Sequence, residues 1–505
     1  MTAVVIDDPR QRRAVLVGVC VALMAVIASV SGLNVAQPEL AVEFDASLST
    51  VLWIINGYTI SLAALLLPLG AVGDRWGRKP VLLTGLALFG AANLVAGLAP
   101  SAGILLAARL LAGVSAAMIM PVTLAVITST FPDEERSRAI GVWTGVAGGG
   151  GILGMFLSAV LVDVASWRWL FVLPIALVAV AAVVTLRSVP DSRGQARFDV
   201  LGSLTSTVAV VGLIVVLHEG PERGWTAPVT LVSLLAGVLG AAGFVAWERR
   251  RHAPLLDVRL FRERGLASGS VALLGVFGVQ AGIFVVLFPY FQAVLGWSGL
   301  RATLALMPTA LLMMVASGLA PRVAARAGAR ATMAAGIVLG AVGLALMAAR
   351  VSVAGGYLSV LPGMLAMGLG MGLTMTPATE AITGSLPRAR QGVASALNDL
   401  TRELGTALGV ALLGTVLAAG YRRAIDARLD GVPADVAGAA RQGIANAVAA
   451  GTHPPGLVDA AQQSFVTGWQ QAMWVGTGVL VAVLGHVLVR GPERTATDAP
   501  PADSR

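Results

Sequence analysis

Three groups of charged residues in an otherwise apolar chain could do chemistry. Residues 70–83 read GAVGDRWGRKPVLL, with Asp74 beside Arg75, Arg78 and Lys79 and with Gly70, Gly73 and Gly77 among them. Gly73 and Gly77 permit a tight reversal. Asp74 is expected just before the next helix, where the helix dipole favours a carboxylate. In SALNDLTRELG (395–405), Arg402 and Glu403 follow Asp399 at three and four positions, which places them on one helix face. Read from its place alone, Asp399 starts a helix, where an acid is favoured, and pairs with Arg402. Arg109 has no charged residue within about twenty positions on either side. An arginine does not usefully release its proton. It acts as a fixed positive charge near a proton-carrying acid or a substrate, or it serves structure by binding carbonyls. Glu39, Glu219 and Glu380 fall at expected span ends and read as headgroup-level carboxylates.

The elements that must position these groups are membrane spans. Hydrophobic residues make up 56% of the chain and charged residues 12%, about half the charge of a soluble domain. The mean hydropathy is +0.82. A span needs about 20 apolar residues, and fourteen fit: 14–36, 51–72, 80–99, 102–129, 139–161, 167–187, 199–218, 227–247, 266–290, 300–321, 330–350, 355–378, 392–419 and 467–489. Arg10, Arg12 and Arg13 before the first run imitate a signal peptide, but no convincing cleavage site follows. It is read as an uncleaved span.

The basic residues sit mostly in short loops on one side. That pattern concerns orientation, not nucleic acid, and puts both termini in the cytoplasm of a cell membrane. Lys79 is the only lysine, and alanine and glycine abound, which points to a GC-rich and expectedly bacterial genome. Cys20 is the only cysteine, which excludes internal disulfides and argues against a Cys-based metal site. Neither a Gly-rich phosphate loop before Lys-Ser/Thr nor a His cluster is present, so ATP-driven transport and metalloenzyme chemistry have no support. No cofactor or metal is expected.

The spans divide as a tail (1–13), six spans (14–187), a linker with two extra spans (188–265), six more spans (266–489) with an exterior loop at 420–466, and a tail (490–505). Six plus six, with the pair set aside, is the layout of a carrier built from repeated halves. Residues 317–330 (SGLAPRVAARAGAR) repeat the 70–83 pattern, keeping Gly328 and the arginines but losing the acid. Segment 248–265 reads as a basic amphipathic connector along the headgroups. Small residues recur at helical spacing at Gly141, Gly145, Gly149, Gly150, Gly154 and Ser158, and again at Gly405 and Gly409. Such stripes let helices pack backbone to backbone.

The pattern Gly-x-x-x-Asp-Arg-x-Gly-Arg-Lys resembles the signature loop of the major facilitator superfamily. LLAARLLAGVSAAMIMP (105–121), SWRWLF (166–171), PLLDVRLFRER (254–264), FPYFQAVLGWSGLRATLALMP (288–308) and SALNDLTRELGTALGVALLGTVL (395–417) are similar to segments of its fourteen-span drug:proton antiporter branch. The resemblance implies an all-α polytopic membrane protein of the major facilitator fold, with two six-helix halves plus two extra helices. It also implies a gating role for the 70–79 loop and a proton-binding role for Asp399. Three departures stand out. Ser29 replaces the aspartate usual five residues before Asn34, Ala112 replaces a glutamine, and Met155 replaces the proline of the span-five motif, where Ser158 and Ala159 replace a glycine pair. The last departure puts a proline-dependent bend in question. By the same resemblance, Asn34, Trp53, Asn56, Trp143, Gln280, Phe284 and Met375 are candidate cavity liners.

The resulting expectation is a monomeric carrier, not an enzyme, that exports hydrophobic or amphiphilic small molecules in exchange for protons. Ser29 and Met155 keep a second expectation open, a uniporter or symporter for one metabolite. A membrane-embedded transferase would need convergent acids or a metal motif, and none is found.

Overall fold

The computed structural model describes residues 5–33, 36–190, 198–251, 254–429, 432–449 and 456–492. The chain forms α1 (Pro9–Gly32), a short α2 (Gln37–Glu43), α3 (Leu48–Trp76), α4 (Arg78–Gly97), α5 (Ala102–Thr130), α6 (Asp133–Val164) and α7 (Val172–Ser188). Two further helices, α8 (Val200–Arg223) and α9 (Pro228–Glu248), follow. Then come α10 (Arg264–Pro289), α11 (Gly299–Ala327), α12 (Ala329–Arg350), α13 (Gly356–Gly384) and α14 (Gln391–Asp426). Two short helices, α15 (Ala434–Gln442) and α16 (Ile444–Ala449), precede α17 (Leu457–Arg490). Fourteen of these are long and apolar enough to cross a membrane. An even number of crossings returns the chain to its starting side, here called the terminal face, and the opposite side is the far face. The expected exterior loop 420–466 is shorter than its sequence suggests, because α14 runs on to Asp426 and α17 begins at Leu457.

Local chemistry fixes the helix starts. Ser47, Ser101 and Ser298 accept hydrogen bonds from the first-turn amides of α3, α5 and α11, and Asp199 does so for α8. The reversal at 70–83 is tighter than a loop. α3 ends at Trp76, α4 begins at Arg78, and Gly77 alone joins them at φ 108°. Gly328 does the same between α11 and α12 at φ 91°. Both angles lie where L side chains are strained, so glycine is required.

The helices α1 and α3–α7 pack as one half, and α10–α14 with α17 as the other. The α8–α9 hairpin lies against α3 and α14, across the seam between the halves. Thr207 of α8 donates to the Ala64 carbonyl at 3.2 Å. At the far face of the first half, Glu43 accepts hydrogen bonds from Trp167 and, at 2.6 Å, from Arg168. Arg168 also donates to the Gly97 carbonyl at 2.9 Å, and Phe44 sits edge-on to Trp167. This clasp ties three far-face turns together. The Trp167 hydrogen bond, with help from Arg168, holds the Glu43 carboxyl below its ordinary value of 4.5.

Helix α6 is continuous from Asp133 to Val164, as Met155 in place of proline allows. Its glycines serve two interfaces. A Cβ on Gly141 would lie 2.9 Å from the Ser317 carbonyl oxygen, and Gly145 and Gly149 also face α11. Gly150 and Gly154 turn instead toward Met24 and Ala28 of α1. In the second half, Gly405 and Gly409 lie directly against the backbone of Leu274 and Gly278 in α10.

Candidate functional site

Asp74 is not ahead of α4 but in the last turn of α3, and the helix start it serves belongs to the other half. Its Oδ1 accepts from the Gly392 amide at 2.8 Å and its Oδ2 from the Val393 amide at 3.1 Å. The α14 start carries no acid of its own in its first turn, so Asp74 supplies the negative charge its dipole favours. Arg78 pairs with Asp74 at 3.0 Å and donates to the Arg388 carbonyl at 3.1 Å. Both side chains are almost wholly buried. Gly70 completes the approach, since a Cβ there would lie 2.6 Å from the Gly392 carbonyl oxygen. Lys79 donates to the Leu186 carbonyl at 2.8 Å, and Arg75 lies over Trp76.

A second seam joins α6 to α11 and α13. Thr144, Ser317 and Thr376 form a triangle of hydroxyls with edges of 2.6, 2.8 and 3.0 Å. Nearer the terminal face, Arg388 pairs with Asp133 at 2.7 Å. Every described hydrogen bond and ion pair between the halves lies on the terminal side of the molecule, so the halves are closed there.

Asp399 is fully buried about two turns into α14. Arg402 approaches its Oδ1 at 3.5 Å, and Asn398 donates to the same oxygen at 3.1 Å while accepting from Thr379 at 2.9 Å. The Arg402 guanidinium lies 4.5 Å from the Phe277 ring centre and 5.7 Å from that of Trp143, across the seam. Asp399 Oδ2 and Arg402 Nε have no hydrogen-bond partner. Removing either member of such a buried pair would leave an uncompensated charge, at a cost of about 3–5 kcal/mol.

Arg109 is not beside this pair. It enters α5 from the far face, whereas Asp399 enters α14 from the terminal face. Its Nη1 donates to Ser29 Oγ at 3.0 Å and to the Ser29 carbonyl at 3.2 Å. Its guanidinium sits 4.3 Å from the Tyr58 ring centre. The residue that departs from the family pattern is thus the residue Arg109 touches. Ser29 also donates to Asn93 at 3.3 Å, and Tyr58 lies within electrostatic reach of both Arg109 and Glu403.

The candidate cavity liners separate into groups. Gln280 Nε2 reaches the Met313 sulfur at 4.0 Å, and Met313 and Met375 both flank Gly148 of α6, so Gln280 and Met375 converge at the seam. Phe284 follows one turn later on α10, partly buried. Trp143 is fully buried, with Nε1 donating to Thr123 at 3.1 Å. Trp53 and Asn56 line a small cleft with His218 and Glu219 of α8, facing the extra hairpin. Asn34 lies outside the described residues. Glu219 pairs with Arg223 at 2.5 Å. Glu380, near the terminal-face end of α13, faces a cleft between the halves.

Sequence reasoning passed over Tyr58, Asn93 and the three hydroxyls, none of which carried a local signal, and placed Glu403 on the Asp399 face without a role of its own. The described residues hold no group of three or more His, Cys, Asp or Glu side chains suited to a metal.

Comparison with known proteins places this architecture. Residues 19–410 match the family model described as Major Facilitator Superfamily. The chain is 30% identical over 469 residues to the multidrug resistance protein Stp of Mycobacterium tuberculosis, covering 89% of this chain and 86% of that protein. It is 32% identical over 445 residues to the multidrug efflux pump LfrA of Mycolicibacterium smegmatis, covering 86% and 87%. The human organic anion transporter MFSD10 superposes with a TM-score of 0.59 over 94% of this chain and all of that one, at 16% identity, a likeness of fold. Fourteen crossing helices, two packed halves and a match spanning most of the sequence make this chain a member of the major facilitator superfamily.

Proposed function

We propose that this protein exports hydrophobic or amphiphilic small molecules, drugs and antibiotics among them, in exchange for protons. It works as a monomer and without covalent chemistry. The terminal face is cytoplasmic, as the positive-inside distribution favours, and the membrane is the cell membrane. The halves rock about a midplane site, and the observed closure of the terminal face corresponds to a carrier open to the outside. The relatives described as multidrug resistance and efflux proteins support the substrate class.

The observation that carries the reading is the Asp399–Arg402 pair, buried in α14 against Trp143 of the opposite half. A charge placed there is costly in an apolar bundle, and its cost changes when the halves separate. Asp399 is the proton-binding group, Arg402 biases its charge, and Glu403 one residue on shares that field. Arg109 holds α1 and α3 through Ser29 and Tyr58 and supplies a fixed positive charge. The Asp74 contact keeps the cytoplasmic side shut.

The test is export of a lipophilic fluorescent cation from proteoliposomes with and without an imposed proton gradient. The unmodified chain should export only with the gradient. Asp399→Asn should lose gradient-driven export yet retain exchange of labelled for unlabelled compound. Equal export by both proteins would remove Asp399 from coupling. It would favour the uncoupled carrier that Ser29, in place of a carboxylate, otherwise suggests.

A further inference from the structure

A cleft of about 390 Å³ lies between the halves at the terminal face, walled by α5 and α6 on one side and by the α13 end and the turn into α14 on the other. Two oxygens that line it have no hydrogen-bond partner, Glu380 Oε1 and Gln391 Oε1. Gln391 is 4% exposed and spends its amide nitrogen on the Thr383 and Leu386 carbonyls. The Glu380 carboxyl lies within hydrogen-bonding reach of Ser137, which belongs to the other half.

Among the described residues no cation pairs with Glu380. The charged side chains that share its cleft are Asp133 and Arg136 of α6 and Arg388 of the turn before α14. Both arginines pair with Asp133. α10 meets this stretch of α13 with Gly265 and Gly269, α11 meets it with Ser317, α12 with Met333 and α14 with Asn398. None of these five titrates. As a neutral acid, Glu380 fits the closed cleft. As a carboxylate it would stand partly buried in the cleft with one hydroxyl and no ion-pair partner of its own, which is costly, whereas more water would solvate it once the halves part.

We propose that Glu380 is a proton-operated lock on the closed terminal face. With its proton bound the halves stay together there, and loss of that proton favours opening. The proposal rests on the reading that the terminal face opens during transport. If that face is cytoplasmic, an acidified cytoplasm keeps the carrier shut on that side, which limits further proton entry when the cell can least tolerate it.

The test places one reporter thiol on the opposite wall, Thr128→Cys with Cys20→Ser, in the full chain held in lipid nanodiscs. Maleimide reaction rates are measured between about pH 6 and about pH 8.5, each divided by the rate of the same protein unfolded in dodecyl sulfate at that pH. The normalised rate should rise roughly tenfold with the steepness of a single proton. Glu380→Gln should stay at the low-pH rate throughout. Glu380→Asp, whose shorter acid cannot reach Ser137 as well, should keep the rise from a higher baseline. A flat response in the parent overturns the lock. So does an unchanged rise in Glu380→Gln, which would assign the response to Asp74 or the α14 acids, and so does a Glu380→Asp profile that matches the parent at both ends. The measurement uses neither substrate nor gradient, so a failure to export drugs would leave its outcome intact.

Discussion

The turns at Gly77 and Gly328 have nearly the same backbone, φ 108° and 91° with ψ 136° and 151°, yet only the first carries an acid. Asp74 stands three residues before Gly77, and the matching position before Gly328 is Ala325. The helix starts that face the two turns differ in the complementary way. α6 begins Asp133-Glu134-Glu135 and provides its own negative charge, whereas α14 has no first-turn acid and takes that charge from Asp74. The two seams therefore solve one electrostatic problem from opposite sides. One is held by a buried carboxylate on two amides, the other by hydroxyls, close glycine contact and an exposed Arg388–Asp133 pair. Carboxylate–amide bonds are directional and fail within about an ångström of separation, which suits a latch. The glycine seam tolerates small displacements and suits a bearing.

The largest expected effect comes from breaking the latch. Asp74→Ala strands Arg78 in a buried site and removes both amide contacts, a loss of about 3–5 kcal/mol from the closed form. Initial export rates per folded molecule should fall at least tenfold, and a normal rate would end the distinction between the seams. Next, Gly77→Ala and Gly328→Ala should each lower stability by about 1–3 kcal/mol through backbone strain. Thermal unfolding in detergent should register both alike, while export should suffer more at Gly77. Equal transport losses would mean the turns matter only as turns. A smaller effect should come from Arg390→Asp, at the position just before the first turn of α14, placed in an Asp74→Asn background. An acid at its own start returns about 0.3–1 kcal/mol to α14, which should recover part of the lost export, and no recovery would argue against the dipole account. The smallest effect belongs to Thr144→Val, which removes one hydroxyl from the second seam for about 0.5–1.5 kcal/mol. Export should change little, and a loss as large as that of Asp74→Ala would reverse the assignment of latch and bearing.

The spans were legible in the sequence because apolar runs of membrane length leave few alternatives, and the two glycine turns because their spacing repeats. Partners were not. Asp74 and Gly392 lie 318 residues apart, and nothing local to either announces the other. Arg109 and Ser29 were each conspicuous, one as a lone charge and one as a missing acid, but only packing joins them. The glycine stripe of α6 looked uniform, yet helical twist turns its later members from α11 to α1. Trp53 and Asn56 were expected on a central cavity, but the extra hairpin presents a face to them that composition could not foretell.

The far-face clasp also sets a clock. Glu43, Trp167 and Arg168 have all been made once synthesis has reached about residue 171, before any of the second half exists. Its strength depends on acidity in one direction. Glu43 is held below its ordinary value of 4.5, so the contribution is complete above that pH and drains away as pH falls through the lowered value. The α14 start at Gly392 comes some 221 residues later (392 − 171). At roughly 5–20 residues per second, that is an interval on the order of ten to forty seconds. Throughout it Asp74 lacks its amide partners, but Arg78, its ion-pair partner one turn away, has already been synthesised. The ion pair thus has a task before any transport begins, keeping the carboxylate occupied until the helix it waits for has been synthesised.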